Sequence, residues 1–199
     1  MCSDTHYNPL NTDGFEFVEY TAADEKGIKD LADLFTSLGF AEVAKHRSKR
    51  VWLYKQGDIN FIINAEPASQ AEEFARLRGP GDDSIYEVDF RFYPNWREKM
   101  KECDAGLLTL DHLTHNVKRG NMAVWANFYE RLGNFREIRY FDIEGKLTGL
   151  VSKAMTSPCG KIRIPINESS DDKSQIEEFI REYNGEGIQH IALSTDDIY

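Results

Sequence analysis

The sequence predicts an α+β fold in which a βαβββ module, followed by a further helix, occurs twice. Three observations lead there. The element signals run strand, helix, three strands, helix in the first half of the 199 residues and return in the same order from residue 107. Landmark residues return with them. Leu38-Gly39 and Leu132-Gly133 end the first helix of each copy, Ile63-Asn64 and Ile166-Asn167 end the last strand, and Glu73-Phe74 and Glu178-Phe179 lie in the following helix. Finally, 41% hydrophobic residues suffice for packed cores.

Each element has its own warrant. Residues Met1 to Thr12 are polar and read as a loose arm. Phe15 to Tyr20 alternates apolar and polar, as a half-buried strand does. Asp24 to Leu38 reads as a helix whose stripe is Leu31, Leu34, Phe35 and Leu38, stopped by Gly39. Ala41 to Ala44, Val51 to Lys55 and Ile59 to Ile63 are strands, with Gly57-Asp58 turning between the last two. Ser69 to Leu77 is a helix. Ser84 to Phe92 is an alternating strand ended by Pro94-Asn95-Trp96. The second copy comprises the strand Leu107 to Asn116 and a helix from Asn121 to Leu132, with Trp125, Phe128, Tyr129 and Leu132 on one face. Strands Glu137 to Asp142, Gly149 to Met155 and Lys161 to Asn167 follow, then the helix Ser174 to Tyr183. The expected domains are 1–96 and 107–199, joined by a charged linker over 97–106.

Charge and cysteine usage narrow the setting. A net charge of -10 argues against nucleic acid and anionic membranes, which require basic patches. The basic run Lys45 to Arg50 reads as a solvated turn between a helix and a strand. The three cysteines, Cys2, Cys103 and Cys159, are odd in number and widely spaced, so no disulfide framework is indicated, and a cytoplasmic protein is expected. No apolar run reaches the roughly 20 residues of a membrane-spanning helix.

The chemistry concentrates in two strands. One is Thr109 to Val117, with His112 and His115; the other is Gly187 to Leu193, with His190. Successive strand side chains face opposite sides, so His112 and His115 cannot both aim at one ion. Two histidines from separate strands plus a carboxylate make the facial triad of non-haem Fe(II) oxygenases. Spacing alone leaves two readings open: that arrangement, or ordinary half-buried strand histidines. His6 and His46 are assigned no role.

Several stretches resemble the 4-hydroxyphenylpyruvate dioxygenase family in its bacterial forms. They are Asn8-Pro9-Leu10, Asp13 to Tyr20, Leu110 to Val117, Arg139 to Ile143, Ser152-Lys153-Ala154, Arg163 to Glu168 and Gly185 to His190. They follow the family's order over nearly the whole chain. The resemblance implies the vicinal-oxygen-chelate, glyoxalase-like fold, with His112 and His190 as Fe(II) ligands and Ser152, Asn167, Gln175 and Gln189 on the substrate side. It implies an α-keto acid and O2 as partners, and conversion of 4-hydroxyphenylpyruvate to homogentisate and CO2 in tyrosine catabolism. By alternation, Asn167 shares a face with Arg163 and Pro165, opposite Ile162, Ile164 and Ile166.

The chain departs from the family in two places. Arg78-Gly79-Pro80 runs almost directly into Gly81 to Tyr86 where the family has most of a second module, and no residue matches the family's third ligand, a glutamate. The expectation is therefore an incomplete form, with one module largely missing and the last one truncated, inactive or nearly so. Open sheet edges make a homo-oligomer an expected outcome. Two alternatives are a vicinal-oxygen-chelate binding or assembly module without catalysis, and a glyoxalase or extradiol enzyme using another divalent metal.

Overall fold

A computed structural model describes residues 7–78, 81–82, 90–144 and 149–198. The chain divides into two compact units. One is Glu16–Leu110 with the segment from Leu193 onward; the other is Asp111–Ala192 with the first segment as far as Phe15. Among the described residues no helix is long and apolar enough to cross a membrane.

In the first unit, β1 (Val18–Thr21) leads into helix α1 (Glu25–Ser37), then β2 (Ala41–His46), β3 (Val51–Gln56), β4 (Ile59–Asn64) and helix α2 (Gln70–Arg78). Short strands β5 (Gly81–Asp82) and β6 (Phe90–Phe92) complete a sheet of order β5-β1-β4-β3-β2-β6. The strand expected from Ser84 is described only as β6, which pairs with β2; its remainder lies outside the described residues. Asp24 caps α1, its carboxylate accepting from the Gly27 N–H at 2.7 Å. Gly39 follows with φ +87°, and a Cβ there would stand 2.6 Å from Ala105 Cβ. The expected stripe of α1 is narrower than its spacing suggests. Phe35 is buried among Tyr20, Tyr54 and Phe61, whereas Leu34 and Leu38 are 50% and 42% exposed. One large ring fills the helix–sheet gap and leaves the flanking leucines outside it.

The other face of this sheet is apolar too. Val51, Leu53 and Ile62 pack with Phe17 against Trp96, Met100 and Cys103. These last three belong to helix α3 (Trp96–Cys103), which occupies most of the stretch read from composition as a charged linker. Its apolar residues recur at helical spacing among charged ones, so composition hides the stripe. Gln56, fully buried, closes the corner. Its amide donates to Leu38 O at 2.9 Å and accepts from Ala105 N and Leu107 N at 2.8 and 3.1 Å. Lys45 and His46 end β2 rather than standing between a helix and a strand; buried His46 accepts from Ser48 N and Lys49 N to hold the hairpin loop.

The second unit repeats the design. β7 (Leu107–Val117), α4 (Met122–Gly133), β8 (Arg136–Glu144), β9 (Gly149–Thr156), β10 (Arg163–Ser169) and α5 (Gln175–Glu182) precede β11 (Gly187–Thr195). The sheet order is β11-β7-β10-β9-β8, with β7 and β10 parallel as β1 and β4 are. Even the irregularity recurs. The β2–β3 register shifts between Glu42 and Ala44, and the β8–β9 register between Glu137 and Arg139. The core under α4 is Val117, Met122, Ala126, Phe135, Met155, Ile164 and Ile166, with Trp125 and Tyr129 against it. As on α1, half of the expected α4 face stays outside: Phe128 and Leu132 are 47% and 55% exposed. The arm's described part is ordered, since Asn8 closes a turn on Thr12 through bonds of 2.8 and 3.0 Å.

Candidate metal centre

Strand alternation sorts the residues of β7. Val117 and His115 face α4, where His115 lies buried against the Trp125 ring, 4.5 Å between centroids, and 3.1 Å from Tyr129 Oη. Burial lowers its pKa from 6.5 to about 4, so it is a neutral core residue. His112, Thr114 and Asn116 face the other way.

On that face His112 meets His190 of β11. Their Nε2 atoms are 3.1 Å apart. Each ring is also held from behind by the residue before it. His112 Nδ1 lies 2.8 Å from an Asp111 carboxylate oxygen, and His190 Nδ1 lies 3.2 Å from Gln189 Oε1. Both partners are oxygens that can accept, so a proton on each Nδ1 would leave both Nε2 lone pairs free, whereas a proton on one Nε2 would make the 3.1 Å contact a hydrogen bond between the rings. Thr114 Oγ1 also lies 2.9 Å from His190 Nε2. Burial, and after it the charge of His112, holds His190 below its usual pKa, which favours the neutral form that binds metals.

A pair of imidazole nitrogens at this distance is held either by a proton on one of them or by a cation between two lone pairs. An imidazole nitrogen sits about 2.1 Å from a bound divalent metal such as zinc, so two donors at right angles stand about 3.0 Å apart. The donor pair therefore fits one ion of octahedral preference. Among the described residues no three His, Cys, Asp or Glu side chains come together around it.

The remaining expected site residues divide. Ser152 on β9, Asn167 on β10 and Asn116 on β7 are successive cross-strand partners, forming a polar row on the His112 face. Asn167 Nδ2 lies 3.4 Å from Asn116 Oδ1, and Ser152 and Asn116 are both buried. On β10 the isoleucines at 164 and 166 are buried on the opposite side, as alternation predicts. Gln189 contacts His190 although neighbours on a regular strand diverge. Gln175 is exposed on the first turn of α5, a helix packed on β10, apart from this row. Sequence reading passed over Asp111, Thr114, Asn116 and Arg163. For Thr114 and Asn116 the signal was the two-residue period running on from His112. Arg163 Nη1 donates to the other Asp111 oxygen at 2.6 Å, a contact between strands that no local pattern announces.

Comparison with known proteins identifies the family and the fold. Residues 6–94 match the family model described as hydroxyphenylpyruvate dioxygenase, HPPD, N-terminal, and residues 109–199 match the glyoxalase/bleomycin resistance protein/dioxygenase superfamily. Hemolysin VllY of Vibrio vulnificus is 61% identical, over 96% of this chain and 69% of its own length. A 4-hydroxyphenylpyruvate dioxygenase of Pseudomonas aeruginosa is 52% identical, over 97% of this chain and 69% of its own. These alignments run over 247 and 248 positions, more than the 199 residues here, so the relatives carry residues within the matched stretch that this chain lacks. Among solved structures, a xylose isomerase-like TIM barrel/4-hydroxyphenylpyruvate dioxygenase fusion protein superposes with TM-score 0.70 at 28% identity, covering 94% of this chain and 37% of that one. A mutant 4-hydroxymandelate synthase from Streptomyces coelicolor shares the fold with TM-score 0.76 at 17% identity, covering 94% and 72%. The two modules, each with its parallel strand pair, and these matches together make the chain a member of the 4-hydroxyphenylpyruvate dioxygenase family, non-haem iron dioxygenases of the vicinal-oxygen-chelate fold.

Proposed function

We propose that His112 and His190 hold Fe(II), and that the site they begin is built for 4-hydroxyphenylpyruvate and O2, with homogentisate and CO2 as products. The observation that carries this reading is the pair of Nε2 atoms 3.1 Å apart, each ring bonded from behind through Nδ1. The bound metal would supply Lewis-acid binding of the α-keto acid and activation of O2. The chain's own residues bind and orient. Ser152 and Asn167 offer polar contacts on the face that carries the imidazoles, and Gln189 stands beside His190. Gln175 keeps a substrate role only through the family resemblance. Relatives of this kind favour the iron reading over a glyoxalase or extradiol one.

A facial triad needs a carboxylate as well as two imidazoles. Among the described residues none joins the pair, and no position matches the family's glutamate. We infer that the 199-residue chain alone binds Fe(II) weakly and turns over little or no substrate. We also place the residues that the relatives carry in excess after Arg78, at the short passage into β5.

Anaerobic Fe(II) titration followed by oxygen uptake with 4-hydroxyphenylpyruvate tests both parts. Weak binding is expected that His112→Ala or His190→Ala abolishes, with no homogentisate formed. Binding that survives both substitutions rules out the site. Homogentisate made by this chain rules out the inactivity.

A further inference from the structure

Asp111 divides its carboxylate between two partners. Oδ2 accepts from His112 Nδ1 at 2.8 Å, and Oδ1 accepts from Arg163 Nη1 at 2.6 Å. Both the Asp111 side chain, 40% exposed, and Arg163, 47% exposed, stand at the surface, so their ion pair adds little to folding. The arrangement has a more specific consequence. In water a neutral imidazole distributes its proton between two nitrogens. An acceptor fixed on Nδ1 removes that freedom and turns the Nε2 lone pair toward His190. We propose that Asp111, anchored by Arg163, is a positioning residue for the metal: it holds His112 in the Nδ1–H form and in the ring orientation that aims Nε2 at the ion. Gln189 does the same for His190 with a neutral oxygen, so the two ligands differ in the charge behind them. The proposal rests on the metal reading above, and the experiment separates the two.

The full chain is compared with Asp111→Ala and Asp111→Asn. Imidazole 15N shifts of the metal-free protein report the tautomer of His112, and anaerobic titration with Fe(II) reports affinity. Wild type is expected as the Nδ1–H tautomer. Asp111→Asn keeps an acceptor oxygen and keeps the tautomer. Asp111→Ala loses it, and the Fe(II) dissociation constant rises about 10- to 100-fold, the usual effect of losing such a partner. An Asp111→Ala protein with unchanged tautomer and unchanged affinity overturns the proposal. If the wild type binds no Fe(II), the metal reading fails, and the tautomer comparison alone upholds or overturns the role of Asp111. Should Asp111→Ala not fold, Arg163→Met reads the contact from its far side. A mixed His112 tautomer and weaker Fe(II) binding support the anchor, and no change in either overturns it.

Discussion

The same face of the sheet has opposite characters in the two units. Register pairs Tyr20 with Ile63 in the first and His115 with Ile166 in the second, so Phe17 stands where His112 stands, Val51 where Ser152 does, and Ile62 where Pro165 does. In the first unit Phe17, Val51 and Ile62 are apolar and lie with Trp96 and Met100 of α3. In the second, the equivalent positions belong to the face with the imidazoles and the polar row. The opposite, helix-bearing faces stay alike: Phe35 and Tyr129 are counterparts, as are Phe40 and Phe135. One scaffold thus serves as a packed layer in one copy and as a chemical surface in the other. Under the helices the main exchange is Tyr20 for His115, whereas the residues pointing away from α1 and α4 change from apolar to polar.

Both copies also bury a polar side chain at the end of the third strand, and here the largest difference is expected. Gln56 in the first unit satisfies one carbonyl and two N–H groups, whereas its counterpart Ser157 bonds Cys159 Sγ at 3.1 Å and Ile162 N at 3.1 Å. Gln56→Leu leaves three part-buried backbone groups without this partner, each at about 1–3 kcal/mol where water cannot replace it. A loss of about 3–5 kcal/mol in urea-unfolding free energy is expected, against about 1 kcal/mol for Ser157→Ala. Equal losses would mean that the two corners are held in the same way after all.

The next contrast lies under the helices, where Tyr20 in one copy is His115 in the other. His115 has its folded pKa lowered from 6.5 to about 4 by burial. The unfolded chain therefore binds the proton more readily. Stability contributed by the neutral ring is fully present above pH 6.5 and is lost as pH falls toward 4. The window is worth on the order of 2–3 kcal/mol. Unfolding free energies at pH 7 and pH 4.5 should differ less in His115→Phe than in the wild type by about that amount. A parallel pH dependence in both proteins would show that His115 is not the group responsible.

The sequence exposed the repeat because periodicity and the Leu-Gly and Ile-Asn landmarks are local signals, and both modules fold as their element order predicts. It exposed His112 and His190 as candidates for the same reason. What it hid depends on distance. α3 was masked by the charges that surround Trp96, Met100 and Cys103. Arg163 reaches Asp111 across 52 positions of chain, and only the parallel pairing of β7 and β10 brings them together. The exposure of Leu34 and Phe128 was invisible because a helical stripe shows which face is apolar, not how much of it a sheet covers.

The smallest effect concerns how each copy starts its helix. Asp24 caps α1 through Gly27 N, while Asn121 at the head of α4 makes no side-chain cap bond. There, Glu168 Oε2 accepts from Met122 N at 2.9 Å, and Glu186 holds the approach, accepting from Lys118 N and Asn121 Nδ2 at 2.8 Å and from Trp125 Nε1 at 3.0 Å. Burial by itself raises the Glu186 pKa, but these bonds outweigh it and hold the group below its usual range. One helix start is therefore local and the other is tied to the turn that enters β11, the strand of His190. Asp24→Ala should cost about 1 kcal/mol, with Asp24→Asn restoring most of it, because the cap needs an oxygen and not a charge. The loss should appear as faster amide exchange in the first turn of α1 and leave Fe(II) affinity untouched. A weakened metal site in Asp24→Ala would mean that the first copy supports the second through more than its fold.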